Sequence, residues 1–281
     1  MPPSDTESNL TNFQLSNLKE MIDTQISLLG SNLDIIEWAS PIPYFGDPSK
    51  SSIATVGINP SNREFVNPNG FELTGNERRF ETLNSLGISN WNSLKQDHLY
   101  KIYTSCTEYF FNNPYDAWFK VLDKILGQTN FSFYSSLFHA CHLDLIPYAT
   151  EKKWAYLSTR QKAELLKASK RFLGETVKNS PIMILVLNGK TVVDTFSKMT
   201  DISLLSYPKE EWTLPRNSGP GVSGIAYKGE LSTISGVSMD RKIKVLGYNH
   251  NIQSSFGVTT QVKTQIQSWI TDNAETISQD E

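Results

Sequence analysis

Residues 53–65 read Ile53-Ala54-Thr55-Val56-Gly57-Ile58-Asn59-Pro60-Ser61-Asn62-Arg63-Glu64-Phe65. The β-branched run predicts a buried strand, and Gly57 to Pro60 stop it in a turn with polar side chains at its mouth. The carboxyl ends of strands are where an open α/β sheet binds its ligands. Pro60 has no N–H to continue a ladder and Gly57 permits close backbone approach, so the Asn59 amide is fixed at the strand end. If strands of this kind recur between helices, the chain is an α/β protein.

They do recur. Ala140 to Ile146 form a second strand, stopped by Pro147, in which alternation puts His142 and Asp144 on one side. A carboxylate there is costly to bury without a partner. Ile182 to Leu187 are continuously apolar, as in a strand covered on both faces, and Ile243 to Tyr248 form a fourth strand that runs into Asn249 and His250. Upstream, Leu18, Ile22, Ile26 and Leu29 recur at helical spacing before Gly30, and residues 1–12 read as disordered. The prolines of residues 40–48 keep that connection extended, and its Tyr44 and Phe45 either line a pocket or cover the core edge.

Residues 67–127 are helical and rich in aromatics. A long helix is expected from about Thr159 to Lys178, and over residues 151–178 basic side chains outnumber acidic ones. With Lys152 and Lys153, this is the best candidate for a phosphate-facing surface. Residues 201–240 read as loop with a short hairpin around Arg216 to Gly221, and a last helix carries Val262, Ile266, Trp269 and Ile270. The expectation is a three-layer α/β/α sandwich around a central, mainly parallel four-stranded sheet, in a single domain over residues 13–275 with an acidic tail at 276–281.

The bulk composition narrows the function classes. The chain has 281 residues, 38% hydrophobic and 20% charged, enough for one sizeable core and without an apolar run of membrane-spanning length. Its first residues lack the basic-then-apolar pattern of a secretory signal, so a cytoplasmic protein is expected. Cys106 and Cys141 are too few for a four-cysteine metal site, and the 4 histidines show no HExxH spacing, so metal-free, cofactor-free chemistry is expected. A net charge of -3 argues against non-specific coating of nucleic acid but leaves room for a local basic face.

The combination resembles the uracil-DNA glycosylase superfamily. Gly57-Ile58-Asn59-Pro60 is similar to the water-positioning motif of its mismatch-specific thymine/uracil members. The strand-end His250 loop resembles the second motif, usually His-Pro-Ser followed by a short DNA-inserting loop. The resemblance implies a base-flipping enzyme acting on double-stranded DNA, expected to work as a monomer. Asn59 would hold the attacking water, and His250, or Asn249 as in relatives that use Asn, would donate to the base's O2. Gly57, Ile58, Ser61, His142, Asp144 and Asn249 would surround the base, and Ile252, Gln253, Ser254 and Ser255 would form the inserting loop, with Ile252 its only large apolar member. Three departures stand out. Asn251-Ile252 replace Pro-Ser, Asp144 stands where uracil-specific members carry Asn, and Ser61 stands where efficient uracil enzymes place a bulky Tyr.

Cleaving an N-glycosidic bond needs a placed water on one side and hydrogen-bond donors for the leaving base on the other. An amide cannot take a proton at neutral pH, so Asn59 would position rather than deprotonate. Asp144 bears on the substrate. A carboxylate repels uracil's O4 but accepts from cytosine's N4 amine, and in its protonated form it also donates to N3. With the small Ser61 beside C5, the expected substrate is a C5-substituted cytosine such as those in phage DNA. The alternatives are a mismatch uracil/thymine glycosylase with Asp144 outside the pocket, and a catalytically silent DNA- or nucleotide-binding module. No lysine is placed as a Schiff-base nucleophile, which implies a monofunctional enzyme that leaves an abasic site.

Overall fold

The structure, a computed structural model, describes residues 5–200, 202–216, 218–219, 221–253 and 257–274. In chain order its strands are β1 (Ser51–Gly57), β2 (His139–Asp144), β3 (Ile184–Asn188), β4 (Leu205–Leu214), β5 (Val222–Ile234) and β6 (Val237–Tyr248). The helices are α1 (Asp5–Leu28), α2 (Leu83–Leu86), α3 (Gln96–Thr107), α4 (Asp116–Leu126), α5 (Thr159–Ser169), α6 (Phe172–Lys178), α7 (Lys190–Thr200) and α8 (Thr260–Ala274).

One six-stranded sheet runs in the order β2-β1-β3-β6-β5-β4. The apolar runs that announce themselves in the sequence, β1, β2, β3 and β6, are its parallel part, and β5 and β4 extend it antiparallel. From β1 the chain crosses to β2 on one flank and then to β3 on the other, so the winding direction reverses around β1. In an open sheet that reversal leaves a crevice at the carboxyl ends of the strands. Register then decides what faces it: Thr55 lies beside His142 and Gly57 beside Asp144.

The sheet has six strands, not the expected four. The short hairpin expected around Arg216 to Gly221 is instead two long strands, and β5 turns into β6 through Ser235 and Gly236, both at positive φ (50° and 84°), as the twist of a tight hairpin requires. Pro208 is tolerated because β4 is the sheet edge, where a missing N–H breaks no second ladder. Trp212 of β4 is buried, edge-on to Trp269 of α8 with centroids 6.0 Å apart.

Helix α1 starts at Asp5, so it takes in most of the segment expected to be disordered, while the acidic tail at 276–281 lies outside the described residues. The single helix expected from Thr159 to Lys178 is two, because its stripes serve different neighbours. Leu165 and Phe172 join a small cluster with Met21, Ile146 and Tyr148, whereas Leu173 and Val177 enter the main core. Among the described residues no helix is long and apolar enough to cross a membrane.

Helix α6 packs against β5 and β6 at Gly174, where an added Cβ would stand 2.7 Å from the Ile234 carbonyl oxygen and 2.9 Å from Val237 Cβ. In an exposed helix Gly→Ala gains about 1 kcal/mol. Gly174→Ala is expected to reverse that sign and cost about 1–3 kcal/mol in urea unfolding, as overpacking does.

Candidate functional site

A cleft of about 1030 Å³ opens at the carboxyl ends of the parallel strands. Residues following β1, β2, β3 and β6 all contribute to its wall, from Asn59, Thr150, Gly189 and Asn251 respectively. Phe45, Trp118 and Phe119 add an aromatic side, while Tyr44 stays in the core.

Asn59 is held by its amide nitrogen. Nδ2 lies 3.2 Å from the Pro60 oxygen, 3.3 Å from the Tyr148 oxygen and 3.1 Å from Thr150 Oγ1, all acceptors, so its two hydrogens are committed to the protein. Oδ1 has no such partner among the described residues. The amide is thus turned to offer an acceptor, the atom a bound water would donate to. The loop around it is stitched to the segment after β2: Ser61 pairs with Thr150 as an isolated parallel bridge, and Asn62 Nδ2 donates to the Glu151 oxygen at 3.3 Å. Ser61 lines the cleft, and its hydroxyl caps the 3-10 turn Asn62–Glu64 by accepting from Arg63 N at 3.2 Å.

His142 and Asp144 stand together over β1. Asp144 Oδ1 is 3.4 Å from His142 Nε2, and Nδ1 is 2.7 Å from Thr55 Oγ1. A carboxylate can only accept, so the consistent tautomer has Nε2–H facing Asp144 and Nδ1 accepting the Thr55 hydroxyl proton. The imidazole is only 2% exposed and is packed by Phe45, Trp118 and Phe119, with ring centroids 5.4, 5.1 and 5.5 Å away. The pair fits because residue 57 has no side chain: a Cβ there would run into Asp144 Oδ1 and stand 2.9 Å from His142 Nε2. The partner that a buried Asp144 requires is therefore its own strand neighbour.

Glu64 is the residue that the sequence reading passed over. It is 3% exposed, lines the cleft, and forms no ion pair among the described residues. Oε2 accepts from Tyr109 Oη at 2.8 Å, and Tyr109 Oη in turn accepts from Tyr115 N at 2.8 Å. Burial pushes its carboxyl up to about 7, against the opposing pull of the Tyr109 hydrogen bond and the Arg79 charge, and the Asp144 charge adds to the rise. Its only sequence signal is position: Ser61 followed three residues later by Glu64 fits a capping pattern, which hides any other role.

The remaining expected residues divide between the cleft and the core. His250 does not line the cleft; it is buried, its Nε2–H donates to the Trp212 oxygen at 2.7 Å, and burial lowers its pKa, so the ring is a neutral tie to β4. Asn249 reaches the cleft wall, yet both ends of its amide are committed, Nδ2 to the Ser223 oxygen at 2.7 Å and Oδ1 to Ile225 N at 2.9 Å. Ile252, expected within the DNA-inserting loop as its only large apolar member, is 3% exposed and belongs to the main core, as a large apolar side chain next to a sheet end tends to. Gln253 lines the cleft and accepts from Asn188 Nδ2 at 3.1 Å, while Ser254 and Ser255 lie outside the described residues. Gly57, Ile58, Lys152 and Lys153 all line the cleft; Lys152 reaches back to Asp34 at 2.7 Å. At the same rim Tyr156 is 75% exposed, and Lys162 sits 5.8 Å over the Trp154 ring.

No protein-family model matches this chain, and no curated protein matches it in sequence. Its function is therefore read from the chemistry of the cleft.

Two stability outcomes follow. Gly57→Ala is expected to cost about 1–3 kcal/mol, and distinctly less in an Asp144→Ala background, because the clash is with that carboxylate; a double-mutant cycle in urea measures the coupling. Glu64, with its folded pKa raised to about 7, favours folding fully only below the ordinary carboxylate range and loses that contribution as pH rises through 7. Glu64→Gln is therefore expected to gain stability relative to the parent by about 2–3 kcal/mol between pH 5 and pH 8, read from urea unfolding at both pH values.

Proposed function

We propose that this chain is a monofunctional DNA glycosylase, akin to the uracil-DNA glycosylase superfamily, that flips a C5-substituted cytosine out of double-stranded DNA and hydrolyses its N-glycosidic bond to leave an abasic site. The observation that carries this reading is the pairing in one cleft of an acceptor-presenting Asn59 with a buried Asp144–His142 pair beneath an aromatic wall. The first supplies the water side of the reaction and the second the base side.

In this reading the flipped base lies against Trp118, Phe45 and Phe119, and Asp144 accepts from its exocyclic amine. His142, braced by Thr55, keeps the carboxylate in place. Ser61 has its hydroxyl turned to Arg63 N and brings little bulk to the wall, which leaves space for a substituent. The DNA-facing rim consists of Lys152, Lys153 and the exposed Tyr156, a pairing of cations with a ring suited to phosphates and to stacking on an unpaired base or sugar. Tyr156 takes over the filling role that the buried Ile252 cannot perform.

A mismatch uracil/thymine glycosylase would need Asp144 outside the pocket, whereas Asp144 lines the cleft, and this favours the cytosine reading. The test is mass spectrometry of bases released from duplexes containing uracil or thymine opposite guanine, 5-methylcytosine or 5-hydroxymethylcytosine. Release from the C5-substituted cytosines is expected to exceed that of uracil. Asn59→Ala is expected to lower turnover by about 100-fold or more without loss of DNA binding, in line with a positioning contribution. Asp144→Asn is expected to shift preference toward uracil. Uracil release that survives Asp144→Ala rejects the substrate assignment, and DNA binding without any abasic product points to a silent module.

A further inference from the structure

We propose that Glu64 is a second catalytic carboxyl of this cleft, taking the proton of the water that Asn59 holds. The inference rests on the glycosylase reading and goes beyond it by assigning the proton acceptor that an amide cannot be. Three acidic side chains line the cleft: Glu64, Asp144 and Glu151. Asp144 is tied to His142 on the base side, and Glu151 is exposed to solvent. Glu64 is buried, and it stands on the same connection as Asn59, brought round by the 3-10 turn in which Glu64 N donates to the Ser61 oxygen at 3.1 Å.

Its hydrogen bonding leaves one oxygen available. The relay from Tyr115 N through Tyr109 Oη pins Oε2, and Oε1 accepts no hydrogen bond among the described residues. Arg79 is the nearby cation, yet its guanidinium donates to the Asn113 oxygen at 2.9 Å and the Arg63 oxygen at 2.8 Å. Tyr109, Arg79 and Asp144 are the groups whose charge or hydrogen bonds act on it, and burial outweighs them, holding the carboxyl near neutrality where a general base works best. The step balances as a hydrolysis. The water oxygen bonds to C1′, its proton passes to the Glu64 carboxylate, and the C1′–N electron pair leaves with the base. The departing base takes up a proton from solvent and Glu64 returns its own to solvent, so that the sum is one water added across C1′–N.

The experiment measures single-turnover base release from pH 5 to 9 on whichever panel duplex the parent protein cleaves fastest. The parent rate is expected to fall on the acid side with an apparent pKa near 7, because the base must be ionised. Glu64→Gln keeps an acceptor for Tyr109, so it is expected to bind DNA unchanged, lose about 100-fold or more in rate, and show no acid limb. Tyr109→Phe removes a donor that favours the carboxylate, and the acid limb is expected to move to higher pH; this variant decides the matter if Glu64→Gln does not fold. Glu64→Gln within about threefold of the parent, an acid limb that persists without Glu64, or an unmoved limb in Tyr109→Phe overturns the inference while leaving the glycosylase reading intact. A parent protein that releases no base from any duplex overturns both.

Discussion

The parallel register that sets Gly57 beside Asp144 is the constraint on which the site depends. Parallel neighbours share a face, so a side chain at position 57 would occupy the volume where Asp144 and His142 meet. With only hydrogen there, a carboxylate can be buried at the end of an apolar strand with its partner two residues back on the same strand. Thr55 completes the arrangement by fixing the imidazole from below, in register with His142. A shift of one residue would turn all of these groups to the opposite face. The hydrophobic pattern that specifies the core therefore also specifies the polar constellation.

The antiparallel extension redistributes the remaining polar groups. In a sheet that ended at β6, the Asn249-His250 segment would have had no neighbouring strand and could have turned to the crevice. Here β5 and β4 lie beside it, and the segment's side chains satisfy their backbone: Asn249 bridges Ser223 and Ile225, and His250 reaches the Trp212 carbonyl. Buried backbone groups require partners, and these two side chains meet that requirement. The cleft is left with the aromatic wall, Asn59, the Asp144–His142 pair and Glu64 as its chemistry.

The parallel part of this arrangement was legible in the sequence because strands buried on both faces must be continuously apolar, as residues 184–187 are. Strand β4 was not, since most of its residues are exposed, Pro208 interrupts it, and an edge strand need not display a hydrophobic run. The His142–Asp144 alternation could be read directly, whereas their contact depended on the absence of a side chain on a neighbouring strand. The burial of Ile252 was not legible, because its place in a polar loop assigned it to a DNA-inserting segment, while burial in the core is the commoner fate of such a side chain. Glu64 lies within residues 53–65, the stretch that marks the first strand. Its hydrogen-bond partner in the core is Tyr109, 45 positions away in the chain, which local spacing cannot show.

Two buried carboxyls in one cleft raise each other's cost of ionisation, so their coexistence needs distinct environments. Asp144 has an imidazole N–H and faces the aromatic wall, and Glu64 has a tyrosine hydroxyl and no ion-pairing cation among the described residues. The second arrangement supports a group that gains and loses a proton near neutral pH. Under the proposed glycosylase reading, that division would give one group the leaving base to hold and the other the proton of water. Asn59 lies on the connection between β1 and Glu64, its amide nitrogen committed to the protein and its amide oxygen without a partner among the described residues. A structural role for Glu64 alone would be met by any buried acceptor for Tyr109. Keeping an ionisable group there costs stability above neutral pH, a cost that an amide in its place would avoid while still accepting from Tyr109.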